Sequence, residues 1–366
     1  FWVDGWKIGE DFTIDNYDRT NGSLTAFIGS RWGAGGWDGF HAYFDEIMIA
    51  DAYCQPYVPS PSSVYPDAPE RMAVLYRPTS DASVTAADYC VTELGVPRSN
   101  LIPLPNATAT EVLANYATFE TEVEDDLNAW LATNSDAAAQ ITTFITGYKV
   151  PNFFTDIGQI STVSRLMNLG NAYSRSTPNP LYQHSGRVTA SQLSAEGMYC
   201  ATAIDAPNLV ASKAIVDGGV TANAVGRMPE GWKFYSDSAA VRGLLAVQKT
   251  RLEIVDAVPA TAGIVIAWLD GTEPGENSRW LIVDTNIATL TLRTTFSSLI
   301  DRITTGWPCG IAGWPGWSDY SAMFNTFHAG GCFAEACITS RQYVDSYDIV
   351  IGIPNLQVDF PLGGYN

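Results

Sequence analysis

MAVLYRPTSDASVTAADYCVTELGVPRSNLIPL, residues 72–104, is the stretch that decides the fold. MAVLY (72–76) is a continuous apolar run of strand length. The residues from Ala82 to Gly95 read as a helix that stops at a glycine, and NLIPL (100–104) returns to strand. The alternation continues downstream. Phe119, Val123, Leu127 and Leu131 recur every four residues with Trp130 beside them, which makes most of 109–133 helical, and QITTFITGY (140–148) is the next strand. A β-α-β-α-β order predicts a mostly parallel sheet with right-handed crossovers, that is, an α/β fold with helices on the sheet.

Working outward toward the C-terminus, residues 157–171 and 207–225 suit helices, with MYCATAI (198–204) as a strand between them. SDSAAVRGLLAVQKT (236–250) reads as a helix with Ser236 or Asp237 at its N-cap. RLEIVD, GIVIAWLD and RWLIVDTN are strands, TTFSSLIDRIT (294–304) a helix and CGIAGW (309–314) a strand. Residues 319–340 are helical with a break near Gly330-Gly331, and YDIVIG (347–352) is a last strand. Toward the N-terminus, VPSPSSVYPDAPE (58–70) is an extended linker, held open by Pro59, Pro61, Pro66 and Pro69. Before it, residues 1–57 read as antiparallel β: FWVDGWKIG as a hairpin turning at Asp4-Gly5, SLTAFIGSRW (23–32) as a strand, and HAYFDEIMIA (41–50) alternating along its length. The chain therefore divides into a β segment (1–57), a linker (58–70) and an α/β domain (71–366).

Composition bounds the function. A net charge of −19, from 39 acidic and 20 basic residues, repels phosphate backbones and argues against nucleic acid and anionic membrane surfaces as partners. No apolar run approaches the ~20 residues of a membrane span; AGIVIAWL (262–269) is the longest and reads as a buried strand. The chain starts at Phe1 with neither Met nor leader and reads as a processed or partial one. The six cysteines, Cys54, Cys90, Cys200, Cys309, Cys332 and Cys337, contain no CxxC pair and no zinc spacing; their even number permits up to three disulfides, or buried apolar thiols instead. Two sequons, Asn21-Gly-Ser and Asn106-Ala-Thr, fit glycosylation and export.

Two resemblances sharpen the architecture. Val3-Asp4-Gly5, Ile28-Gly29, Trp37-Asp38-Gly39-Phe40 and Phe44-Asp45-Glu46-Ile47 resemble the C-terminal part of a laminin-G-like, concanavalin-type jelly roll. The resemblance covers only residues 1–57, too little for a closed sandwich, so these strands are expected to complete a sheet with further chain or with a neighbour. Residues 74–104, 144–151 (FITGYKVP), 198–220 (MYCATAIDAPNLVASKAIVDGGV) and 330–356 resemble an uncharacterised family of secreted bacterial proteins, whose layout looks like the caspase-like α/β fold of gingipain-type cysteine peptidases. Where that group closes on an acidic residue, this chain has Ile353 within Ile351-Gly352-Ile353-Pro354.

A caspase-like peptidase needs a His and a Cys at the carboxyl ends of adjacent strands. If GIVIAWLD and RWLIVDTN are those strands, they end in Trp268-Leu269-Asp270-Gly271 and Asp284-Thr285-Asn286, so neither position is filled. Cys309 and His328 are the nearest substitute pair, with a buried Cys and a helix-capping His as the plainer account. His41 and His184 read as ordinary hydrogen-bonded histidines. The acidic run Glu120, Glu122, Glu124, Asp125 and Asp126 reads as a solvated helix face, and Asp11, Asp15 and Asp18 lack EF-hand spacing, so no metal or cofactor is expected. There is no P-loop, GxSxG or HExxH. Trp307, Trp314 and Trp317 in GWPCGIAGWPGW form an aromatic loop suited to a sugar or a partner surface, or to local packing.

These readings lead to a non-enzymatic extracellular or cell-surface structural protein, self-associating through its N-terminal strands into an oligomer or filament. The alternatives are a divergent cysteine peptidase-like hydrolase and a carbohydrate-binding surface protein.

Overall fold

The computed structural model describes residues 65–184, 186–206, 208–225, 319–346 and 349–357, together with the backbone of residue 239 and of strands at 2–3, 6–7, 30–33, 36–39, 233–236, 253–255, 264–270, 279–287 and 309–313. Contacts divide the chain into two units, Phe1–Ser62 and Ser63–Asn366, and the division falls inside the Pro/Ser-rich stretch.

In the first unit, β1 (Trp2–Val3) pairs antiparallel with β2 (Trp6–Lys7), placing Val3 opposite Trp6. β3 (Ser30–Gly33) pairs antiparallel with β4 (Gly36–Gly39). The strand expected over residues 41–50 lies outside the described residues.

The second unit begins with β5 (Met72–Tyr76), whose Met72, Ala73, Val74 and Leu75 are fully buried on both faces. Such strands need helices on each side of the sheet. α1 (Asp81–Leu94) supplies one. The Ser80 hydroxyl caps its start by accepting from the Ser83 amide, and Gly95, at φ 70°, ends it. Its inward stripe, Ser83, Ala86, Ala87, Cys90 and Leu94, follows helical spacing.

β6 (Leu101–Pro103) and the short β7 (Val112–Leu113) follow. The helical stretch predicted from Phe119, Val123, Leu127 and Leu131 is built as α2 (Tyr116–Phe119), a π-helical turn (Glu120–Glu124), α3 (Asp125–Thr133) and α4 (Ser135–Ala138). Phe119, Val123 and Leu127 are buried as the periodicity requires. Next come β8 (Thr143–Thr146), β9 (Phe153–Asp156), β10 (Gly158–Ser161) and α5 (Thr162–Met167). The helix expected over 157–171 is thus part hairpin: β9 and β10 pair antiparallel and set Phe154 opposite Ile160, both buried. Gly158, at φ 105°, makes the turn a helix cannot accommodate.

The remaining elements are β11 (Thr177–Pro178), α6 (Ala190–Ala195), β12 (Cys200–Ala203), α7 (Leu209–Val225), β13 (Lys233–Ser236), β14 (Glu253–Val255), β15 (Ile264–Asp270), β16 (Arg279–Ile287), β17 (Cys309–Gly313), α8 (Tyr320–His328), α9 (Phe333–Ser340), β18 (Tyr343–Val344) and β19 (Ile349–Gly352). The helices expected at 236–250 and 294–304 lie outside the described residues.

The main sheet runs β14-β13-β15-β16-β17-β19-β12-β8-β5-β6. From β19 to β6 all neighbours are parallel, giving a five-strand parallel block flanked by helices: an α/β fold. Along β15, β16, β17 and β19 each strand is antiparallel to its neighbour. Residues 271–278, between β15 and β16, are too few for a parallel return, which needs about a dozen residues or more. Counted along the chain, the block runs second, first, third, fourth, fifth. Chain travel therefore reverses once, between β5 and β8.

Candidate functional site at the carboxyl edge of the parallel block

Open α/β sheets bind ligands outside the carboxyl ends of their strands, where the strand order reverses. Here that point lies over β5 and β8, with β12 next to β8. β5 delivers Arg77, β8 delivers Gly147, Tyr148 and Lys149, and β12 delivers Ile204 and Asp205.

The backbones approach closely. The Gly147 amide donates to the Leu75 carbonyl at 2.9 Å, and a Cβ on Gly147 would stand 2.6 Å from that oxygen, which is why only glycine fits. Two residues later Lys149 takes φ 67°, a left-handed conformation that costs a non-glycine residue about 1–2 kcal/mol. It is held on both sides. Its amide donates to Asp205 Oδ1 at 2.9 Å, and its carbonyl accepts from Arg77 Nη1 at 3.5 Å. Asp205 Oδ2 takes a second bond, 2.6 Å, from Asn152 Nδ2. Burial raises the Asp205 pKa above the usual carboxylate value, against the opposing pull of the Lys149 amide, Asn152 and the Lys149 charge. Tyr148 is buried, and the Lys149 ammonium lies 5.2 Å from its ring centroid. Arg77 is 9% exposed; its Nε donates to the Ala107 carbonyl at 3.1 Å and its amide to the Ser83 hydroxyl at 3.0 Å.

Two further polar centres brace the fold. Arg165 lies between Glu124, which its Nε contacts, and Asp345 at 3.5 Å, and also donates to the carbonyls of Asn168 (2.8 Å) and Asn171 (3.1 Å). Burial pulls the Arg165 pKa down, but Glu124 and Asp345 outweigh it and the net direction is up. Tyr116 Oη donates to Glu124 at 2.9 Å, inside a ring cluster where Phe119 and Phe154 stack at 4.6 Å and Tyr116 and Tyr173 at 4.1 Å. At the opposite edge of the sheet, Arg187 bridges Asp67 (2.8 Å) and Glu335 (2.7 Å) and lies 3.7 Å above the Tyr65 ring. Glu335 also closes the capping box of α9 through the Cys332 amide. That edge carries a cleft of ≈ 300 Å³ lined by Arg71, Thr142, Ser191, Ser194 and Tyr199 among others, at the lower bound of small-molecule pockets.

The residues singled out in the sequence are placed differently. His328 is exposed on the last turn of α8. Cys309 begins β17, opposite Val283 and Gly352, and its side chain lies outside the described residues. Trp307, Trp314, Trp317, His41 and Asn21 also lie outside them. Asn106 is exposed; its amide and Nδ2 donate to Asp126 at 2.9 and 2.8 Å. The acidic run needs correcting as a purely solvated face. Glu122 accepts from the Thr108 amide at 2.9 Å, and the π-helical turn rotates Glu124 inward, where it is 4% exposed. Cys90, Cys200, Cys332 and Cys337 are buried, and none of these four is in a disulfide. Burial pushes the Cys90 thiol up to about 12.

The two strands taken for the dyad-bearing pair, 264–270 and 279–287, are antiparallel partners outside the parallel block. The adjacent parallel strands near its centre are β8 and β12, and the side chains just beyond them are Tyr148 and Asp205. Arg77, Tyr148, Lys149 and Asp205 were not singled out from sequence. Each follows a strand that was correctly read, so the carboxyl-edge rule, applied to YRP, TGYK and AID, points to them. Compared with family models, curated proteins and solved structures, the chain has no match in any of the three.

Proposed function

We propose that this chain is a non-enzymatic structural protein of the cell exterior, in which a caspase-like α/β body is a scaffold and the N-terminal β strands are the assembly element. The observation that carries the reading is the pair of residues beyond β8 and β12. In a caspase-like layout an imidazole and a thiolate occupy adjacent strand ends there; this chain has Tyr148 and Asp205. Asp205 spends both carboxyl oxygens holding the loop, on the Lys149 amide and Asn152. Neither side chain is a thiol nucleophile, and the hydrogen bonding makes the corner a brace. Support for assembly comes from the short antiparallel pairs at 2–7 and 30–39, whose strand edges are suited to pairing with another subunit.

Two measurements test it. A thiol-reactive peptide probe is expected to leave the reduced chain unlabelled; labelling that disappears in Cys309→Ala would establish the peptidase alternative. Sedimentation at high protein concentration is expected to show concentration-dependent oligomers that disappear when residues 1–57 are removed. A single monomeric species throughout would count decisively against assembly.

A further inference from the structure

We infer that the reversal point between β5 and β8 binds an oxyanion, the phosphate or carboxylate group of a small ligand, through Arg77 and Lys149. Buried charges in proteins are paired or hold a ligand, because desolvating an ion costs several kcal/mol. Two other arginines of the body show the paired case: the buried Arg165 meets Glu124 and Asp345, and the partly buried Arg187 meets Asp67 and Glu335. Arg77 is 9% exposed and has no carboxylate partner among the described residues. Its guanidinium bonds are to two backbone carbonyls, Ala107 through Nε and Lys149 through Nη1, which fix the fork while leaving Nη2 without a hydrogen bond among the described residues.

The neighbouring strand end adds a second cation. Lys149 is half-buried and makes no ion pair among the described residues. Its φ of 67° is kept by bonds from both sides, so the ammonium is carried on a fixed backbone. One carboxylate, Asp205, lies close: it accepts from the Lys149 amide and Asn152 and feels the Lys149 charge, so it offsets part of the positive charge and leaves Arg77 as the cation without a carboxylate partner among the described residues; Glu111, which acts on Asp205 through space, is exposed. A guanidinium and an ammonium carried by the two strand ends that flank a sheet's reversal point suit an oxyanion held by charge-assisted hydrogen bonds. The inference is independent of the assembly reading: a probe-labelled thiol would end that reading and leave this one standing.

The test is titration of the folded chain with sodium phosphate, and separately with sodium acetate, at constant ionic strength, followed calorimetrically and, for phosphate, by ³¹P line broadening. Saturable one-to-one binding of either anion into the millimolar range is expected; phosphate alone identifies a phosphoryl ligand, and acetate alone a carboxylate. Arg77→Gln and Lys149→Gly are each expected to weaken binding about tenfold or more. Glycine suits the φ of residue 149, so Lys149→Gly reads the site even if Arg77→Gln fails to fold. Absence of saturable binding of both anions, or wild-type affinity in Lys149→Gly, overturns the assignment.

Discussion

Replacing Arg165 with Met removes the cation from between two buried carboxylates. Glu124 is 4% exposed and Asp345 0% exposed, so neither can turn to water. Breaking a buried pair from one side costs about 3–5 kcal/mol. The guanidinium also serves the carbonyls of Asn168 and Asn171, which lose their donors. In the other direction, Glu124 keeps the Tyr116 hydroxyl and Asp345 keeps Asn168 Nδ2 at 2.6 Å. A net loss of about 4 kcal/mol near neutral pH follows. The loss depends on pH. Burial already raises Asp345 above its ordinary 3.8 despite Arg165, and without Arg165 it rises further. A carboxyl with a raised folded-state pKa binds its proton more tightly folded than unfolded. Its ionised form therefore penalises the fold above that pKa, and the penalty fades as pH falls through it. Urea unfolding of both proteins, near neutrality and at about pH 5, is expected to show a smaller difference at the lower pH. A loss below about 1 kcal/mol, or one equal at both pH values, would refute the reasoning, since either would mean that Arg165 compensates no buried charge.

Gly147→Ala drives a Cβ to 2.6 Å from the Leu75 carbonyl, and β5 and β8 cannot part without losing ladder bonds; a loss of about 2 kcal/mol or more is expected in denaturant unfolding, and an unchanged midpoint would discount the close approach. Four of the six cysteines are buried, so a water-soluble disulfide reagent is expected to titrate no more than two thiols in the folded, reduced chain and all six after denaturation; a third fast thiol would contradict the packing. Asp205 also has a raised pKa from burial, so the stability it withholds when ionised returns as pH drops through that pKa and is fully back below 3.8. In Asp205→Asn this part of the pH profile flattens, and a stability curve that still parallels wild type would rule out Asp205 as its source.

What the sequence made legible follows from periodicity. β5, α1, β6, β12 and α9 announce themselves through apolar runs, a helical stripe and terminal glycines, because each buries a continuous face. The 157–171 segment misleads: its apolar residues admit a helical reading, whereas Gly158 at φ 105° forces a hairpin. The candidate corner was hidden for another reason. Arg77, Tyr148, Lys149 and Asp205 are far apart in sequence and match no spacing rule; only the strand order brings them to one edge. Their strands were identified, but the dyad was sought on β15 and β16, whose long apolar runs resemble central parallel strands. The short 271–278 connection is the cue that they are antiparallel. Glu124 was misread because a π-helical turn adds a residue to the helical count, and no periodicity analysis at 3.6 residues per turn anticipates that.

The Arg187 rivet has a mechanical corollary. It grips Tyr65 and Asp67 just where the chain enters the α/β body, ahead of Met72, and is itself fastened to Glu335 at the head of α9. A tug on the chain ahead of Tyr65 is therefore met by a guanidinium clamp before it reaches β5. The load passes into α9 and the 187–188 segment, and the strand shared by β6 and β8 is shielded from being peeled out of the sheet.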